Sequence, residues 1–219
     1  MTLGLEQLAW RAPAHPDEAA NTDTPTTELS PREASLVEIA ADVVRGAANP
    51  QFQTHLEIAL MHAGLTHEEV RELLRHLVPY AGLSATAMAF ERMVELTDCP
   101  PAEAREDDRP DFAAEPEEYS PWALEGIASL DRPFAGQLRR HTSELWGRPG
   151  LSKRERAMAT LAVDLASGAL GGLFAVHVAV AQQNGIGLEE VSAMIRLLGE
   201  RSPGDEGEAL DAIAAIAVA

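Results

Sequence analysis

Residues 29–59, LSPREASLVEIAADVVRGAANPQFQTHLEIA, return 122 positions downstream as residues 151–181, LSKRERAMATLAVDLASGALGGLFAVHVAVA. Without a gap the two copies share Leu29/Leu151, Ser30/Ser152, Arg32/Arg154, Glu33/Glu155, Ala40/Ala162, Asp42/Asp164, Gly46/Gly168, Phe52/Phe174, His55/His177 and Ala59/Ala181. After a slip of one residue the match continues through Gly64/Gly185, Glu68/Glu189, Glu69/Glu190, Val70/Val191, Arg75/Arg196 and Leu77/Leu198. The chain is a diverged tandem duplication. Two such units are expected to pack as a pseudo-symmetric pair, with any chemistry between them.

Each copy opens with a capping box, Ser30-Pro31-Arg32-Glu33 and Ser152-Lys153-Arg154-Glu155. The serine hydroxyl accepts from the backbone three residues on, the glutamate reaches back, and Pro31 occupies the first helical position, where no N–H is needed. Apolar spacing at Leu36, Val37, Ile39, Ala40, Val43 and Val44 gives an amphipathic helix that Gly46 and Asn49-Pro50 end; Met158, Leu161, Ala162 and Leu165 repeat the pattern before Gly168. Each copy's second helix carries His55 or His177 and stops near Gly64 or Gly185. Thr66-His67-Glu68-Glu69 caps a helix expected to end at Pro79, Ala85–Leu96 forms a fourth, and Ser120-Pro121-Trp122, Pro133-Phe134 and residues 208–219 mark further helices. No stretch alternates with period two. The fold class is all-α.

The expected domains are a flexible arm at residues 1–28, a first repeat at 29–96, a linker at 97–121 and a second repeat at 122–219. The arm has Pro13, Pro16 and Pro25 and little to bury, and the linker carries five prolines and nine carboxylates against two arginines. A net charge of −18 repels phosphate backbones and anionic membranes, so neither nucleic acid nor membrane is an expected partner. The single cysteine, Cys99, excludes a disulfide framework and a thiolate zinc cage. With no signal-peptide pattern or apolar run of membrane-span length, the expected location is the cytoplasm.

The second copy reads Arg148-Pro149-Gly150-Leu151, then an arginine pair at Arg154 and Arg156, then His177, Ala181 and Gly185 in the spacing HxxxAxxxG; the first supplies Gly64-Leu65-Thr66-His67-Glu68-Glu69-Val70 and Tyr80-Ala81-Gly82. In this order the motifs resemble the carboxymuconolactone decarboxylase family over residues 29–96 and 130–199. The resemblance implies two tandem helical repeats of the alkylhydroperoxidase D-like type packed as a pseudo-dimer, with no cofactor, and homo-oligomers such as a trimer of pseudo-dimeric chains. The sister branch's CxxCxxxH motif is absent: Leu170 and Leu173 stand before His177, and Ala48 and Gln51 before His55. Thiol peroxidase chemistry needs an attacking and a resolving thiol, so it is excluded. The second copy has Gly199-Glu200-Arg201-Ser202-Pro203 in place of tyrosine-x-glycine. One composite site per chain is therefore expected.

His177 and His55 are the candidate general acid–bases, an imidazole being able to protonate carbon after carbon dioxide leaves; the plain alternative for His177, flanked by Phe174, Val176, Val178 and Val180, is a core histidine. Glu33 and Glu155 are explained by capping. Arg32 and Arg154 are not, because a first-turn cation opposes the helix dipole by about 0.3–1 kcal/mol. Either a salt bridge to the sister repeat or a two-point clamp on a substrate carboxylate would account for them. Arg148 and Arg156 are further carboxylate-binding candidates, and by resemblance Tyr80 lines the pocket. His62, His67 and His76 are placed on polar faces, without the carboxylates of a metal site. Two readings follow: a cofactor-independent lyase or isomerase acting on a small carboxylate-bearing lactone or enol-type acid, or a catalytically silent scaffold or small-ligand binding protein that keeps the fold.

Overall fold

The structure, a computed structural model, describes residues 28–97, 99, 127–199 and 206–218. The expected arm and nearly all of the expected linker, with the helix start at Ser120-Pro121-Trp122, fall outside them. Among the described residues there is no strand. The helices are α1 (Pro31–Arg45), α2 (Pro50–Met61), α3 (His67–Ala81), α4 (Leu83–Thr97), α5 (Arg132–Trp146), α6 (Lys153–Ser167), α7 (Gly172–Gln183), α8 (Leu188–Gly199) and α9 (Glu206–Val218). Under the repeat, α1, α2 and α3 correspond to α6, α7 and α8.

The capping boxes form as the sequence dictates. Ser30 accepts from the Glu33 amide and Ser152 from the Glu155 amide, while each glutamate accepts from the serine's N–H. Thr66 and Glu69 do the same for α3. Asn49 caps α2 by accepting from Phe52 N at 2.8 Å, and Gly168 ends α6 in the left-handed conformation, φ +67°, which costs a glycine nothing. One expectation fails: Pro79 does not end α3. A proline removes one hydrogen bond but leaves the turn's other bonds intact, and the helix runs on to Ala81 before Gly82 at φ +89° closes it. That extra half-turn keeps Tyr80 on the helix.

The centre of the molecule is α1 against α6, the two equivalent helices and the most extensive pairing between the repeats. Leu36, Val37, Ile39 and Val43 of α1 and Met158, Leu161 and Ala162 of α6 join Phe52, Leu56, Leu73, Leu74, Phe174, Val178, Val191 and Met194 in one core cluster. A fully buried side chain of the size of Leu36 or Leu161 contributes about 1.5–3 kcal/mol. The repeats thus share one core, and α3 of the first also packs on α6 of the second. No helix among the described residues is long and apolar enough to cross a membrane.

Charge locks the two helix starts together. Arg32 Nε donates to Glu155 Oε1 at 2.6 Å and its Nη2 to Glu69 at 2.6 Å, with Nη1 on the Gly64 carbonyl at 3.3 Å. Arg154 mirrors this: Nε donates to Glu33 Oε1 at 2.9 Å, Nη2 to Glu190 and Nη1 to the Gly185 carbonyl. Each capping glutamate therefore serves its own helix through one oxygen and the sister repeat through the other. The repeated first-turn arginine makes an inter-repeat salt bridge in both copies. Burial pushes Glu33, Glu69 and Glu155 up, but hydrogen bonds from serine or threonine and arginine outweigh it and hold all three below their ordinary value.

Because the folded carboxylates titrate lower than the unfolded ones, their contribution is full above about 4.5 and is lost as pH falls through the folded values. A double-mutant cycle with Arg32→Ala and Glu155→Ala, read by urea denaturation, is expected to give a coupling of about 1 kcal/mol at neutral pH. At a pH below the folded carboxylate values that coupling should vanish.

Candidate active site

In each repeat an aspartate on the first helix meets a histidine thirteen residues later on the second. His55 Nδ1 lies 2.5 Å from Asp42 Oδ2, and His177 Nδ1 lies 2.6 Å from Asp164 Oδ2; all four side chains are buried. A carboxylate only accepts, so each ring donates from Nδ1 and its orientation is fixed. The aspartate must sit on the fourth turn of a buried helix to reach the ring. The repeated identities Asp42/Asp164 and His55/His177, thirteen residues apart in each copy, are the sequence signal for this pair.

Beyond the shared pair the two sites differ. In the first repeat Glu38 Oε1 stands 3.5 Å from His55 Nε2, so His55 faces carboxylates on both ring nitrogens. Thr160 is the residue at the equivalent place in the second repeat, and its hydroxyl engages another histidine. His76 Nε2 lies 3.1 Å from both Thr160 Oγ1 and the Arg156 carbonyl. His76 is fully buried, which corrects its placement on a polar face. His67 is half-buried, with Nε2 enclosed and lacking a partner among the described residues, while His62 is exposed.

Glu72, His76 and Tyr80 recur every fourth residue and so lie along one side of α3, facing the second repeat. Tyr80 stacks edge-on to His177 with ring centroids 5.7 Å apart and accepts a hydrogen bond from Trp146 Nε1 at 2.9 Å. His76 packs between Tyr80 and Trp146, at 5.2 and 5.4 Å. One turn earlier, Glu72 accepts from Arg148 Nε at 3.0 Å, Arg156 Nη2 at 3.0 Å and Arg75 Nη1 at 3.3 Å. Arg156 Nη2 also donates to the carbonyls of Arg148 and Pro149. Its guanidinium is 0 % exposed, and burial pulls its pKa below the ordinary value against the opposing pull of Glu72. Burial first, then the Arg156 and His177 charges, hold His76 well below the usual histidine range, so it is neutral at pH 7.

The seam between α3 and the second repeat thus gathers His177, Tyr80, Trp146, His76, Thr160, Arg148, Arg156 and Glu72. Of the residues singled out by sequence, His177, Tyr80, Arg148 and Arg156 converge here, and His55 has its own aspartate and glutamate in the first repeat. Arg32 and Arg154 stay with the inter-repeat lattice, their donors engaged by glutamates and carbonyls. Arg148 donates its Nε to Glu72. The sequence reading does not assign Glu72 or Trp146 to a site and puts His76 on a polar face; for Glu72 and His76 the i, i+4, i+8 spacing with Tyr80 on α3 is the available signal. A separate pocket between α1, α6, α8 and α9, lined by Arg45, Leu165, Ile195, Leu198 and Ala209, includes no histidine. No group of three or more potential metal-binding side chains occurs among the described residues.

The model of the carboxymuconolactone decarboxylase family matches the chain twice, over residues 9–95 and 134–217, and the chain belongs to that family. The double match coincides with the internal repeat. A search of curated proteins gives no match.

Glu72 accepts from Arg148, the fully buried Arg156 and Arg75, and removing one partner of such a group strands the rest. Glu72→Gln is therefore expected to lower stability by about 3–5 kcal/mol in urea denaturation. Glu68→Gln, which touches the half-exposed pair with Arg75, should cost about 1 kcal/mol or less.

Proposed function

We propose that the chain is a cofactor-independent lyase or isomerase acting on a small carboxylate-bearing lactone or enol-type acid, with His177 as general acid–base. The observation that carries this is the buried Asp164–His177 pair set edge-on to Tyr80 at the inter-repeat seam. Asp164 accepts from Nδ1, so exchange with a substrate runs through Nε2, as in other aspartate-oriented imidazoles.

In the decarboxylating form, the carbon–carbon bond to the carboxylate breaks and its electron pair passes into a dienolate as carbon dioxide leaves. The protonated imidazole then gives its proton to carbon, and solvent restores it. In this reading the Tyr80 hydroxyl, which accepts a hydrogen bond from Trp146, donates to the developing enolate oxygen. Isomerisation uses the same enolate, with the proton removed from one carbon and returned to another. His55, bracketed by Asp42 and Glu38, serves the first repeat as a structural counterpart.

A second reading, a silent scaffold or small-ligand binding protein, draws support from the engagement of Arg32 and Arg154 by glutamates of this chain. Turnover screening with lactones and β-keto acids separates the two. Wild type is expected to turn over at least one substrate, with His177→Ala slower by about 10²–10⁴-fold and His55→Ala much less affected. Activity that survives His177→Ala unchanged would remove the histidine from the mechanism, and no turnover at all would leave the scaffold reading.

A further inference from the structure

Arg156 and His76 are both 0 % exposed, yet Arg156 Nε, Arg156 Nη1 and His76 Nδ1 have no hydrogen-bond partner among the described residues. A buried polar atom without a partner costs about 1–3 kcal/mol, more where the group is charged, so three in one seam call for an explanation. Their chemistry is complementary. Glu72 and two carbonyls take Nη2 of Arg156, leaving N–H donors on both flanks of that nitrogen. His76 must donate from Nε2 to the Arg156 carbonyl, which only accepts, so its Nδ1 presents a lone pair.

The two side chains share one seam. The His76 ring contacts the α6 backbone at Arg156, and Glu72, one turn before His76 on α3, holds the Arg156 guanidinium. Buried, open N–H donors on a guanidinium attract an anion.

We infer that Arg156 and His76 form the substrate's recognition subsite: the guanidinium donates to a carboxylate, and His76 Nδ1 accepts from a hydroxyl or enol O–H on a neighbouring carbon. The ligand class is therefore a hydroxy or enolic carboxylate rather than a simple acid. Arg156, one of the four arginines that the sequence offers for a carboxylate, takes the anchoring role. His76 is a specificity residue, discriminating for the hydroxyl because an analogue without one leaves the buried lone pair unpaired. The inference rests on the proposed function for the identity of the substrate, but binding tests it without turnover.

The experiment titrates the full chain with glycolate and with acetate as probes, following the His76 side-chain resonances by NMR and the affinity by calorimetry. Wild type is expected to bind glycolate about tenfold more tightly than acetate, the effect of one hydrogen bond of about 1.4 kcal/mol. His76→Phe should erase that difference while keeping acetate binding, and Arg156→Gln should abolish both. If Arg156→Gln does not fold, the His76→Phe comparison alone decides. Equal affinity for the two probes in wild type, or probes that leave the His76 resonances unmoved, overturns the subsite. A His177→Ala chain that binds glycolate normally but has lost turnover supports both proposals. Normal glycolate binding with turnover intact in His177→Ala sinks the catalytic assignment alone, and lost turnover without the glycolate preference sinks the subsite alone.

Discussion

The structure depends on a reciprocal exchange of charge between two helix starts. Arg32 reaches Glu155 and Arg154 reaches Glu33, while each glutamate caps its own helix. An arginine in a first turn works against the helix dipole. Its own repeat supplies one compensating carboxylate, Glu69 or Glu190, and the sister repeat a second. Helices α1 and α6 are thereby held in register along their buried faces, and Asp42 and Asp164, further along the same helices, are delivered to the histidines of α2 and α7.

From that fixed frame the two halves diverge. The aspartate–histidine pair is present in both, but the residue four positions before the aspartate is Glu38 in one and Thr160 in the other. The first turns toward its own histidine and closes the arrangement with charge; the second binds His76 from the opposite repeat. The polar seam is accordingly built from α3 of the first repeat against α5, α6 and α7 of the second. α8, the counterpart of α3, has Ala193 and Leu197 where Glu72 and His76 stand, so it cannot supply the same groups.

Much of this was legible in the chain itself. Capping boxes, glycine stops and apolar spacing are local, and they placed the helices and the all-α class. The repeat exposed the pseudo-symmetric pairing, and Arg32/Arg154 were flagged because a first-turn cation is locally unfavourable. What sequence could not show is which partner resolves that conflict: a glutamate across the seam and a substrate carboxylate present the same two oxygens to a guanidinium. His76 was misplaced for a related reason. Its neighbours on α3 are arginine and glutamate, which read as a solvated face, but here Glu72 pairs with arginines of both repeats inside an interface. Pro79 was taken as a stop, although a proline in a last turn gives up only one bond.

The covalent joining of the repeats has a consequence for how such a protein can change. In a symmetric dimer of identical single-repeat chains, any substitution is made at both positions at once, so a glutamate that suits one histidine is imposed on its twin. Fusion removes that obligation, and Glu38 and Thr160 are the mark of its removal. Half of the molecule can stay conservative and guard the assembly while the other half explores new ligands under a separate selection.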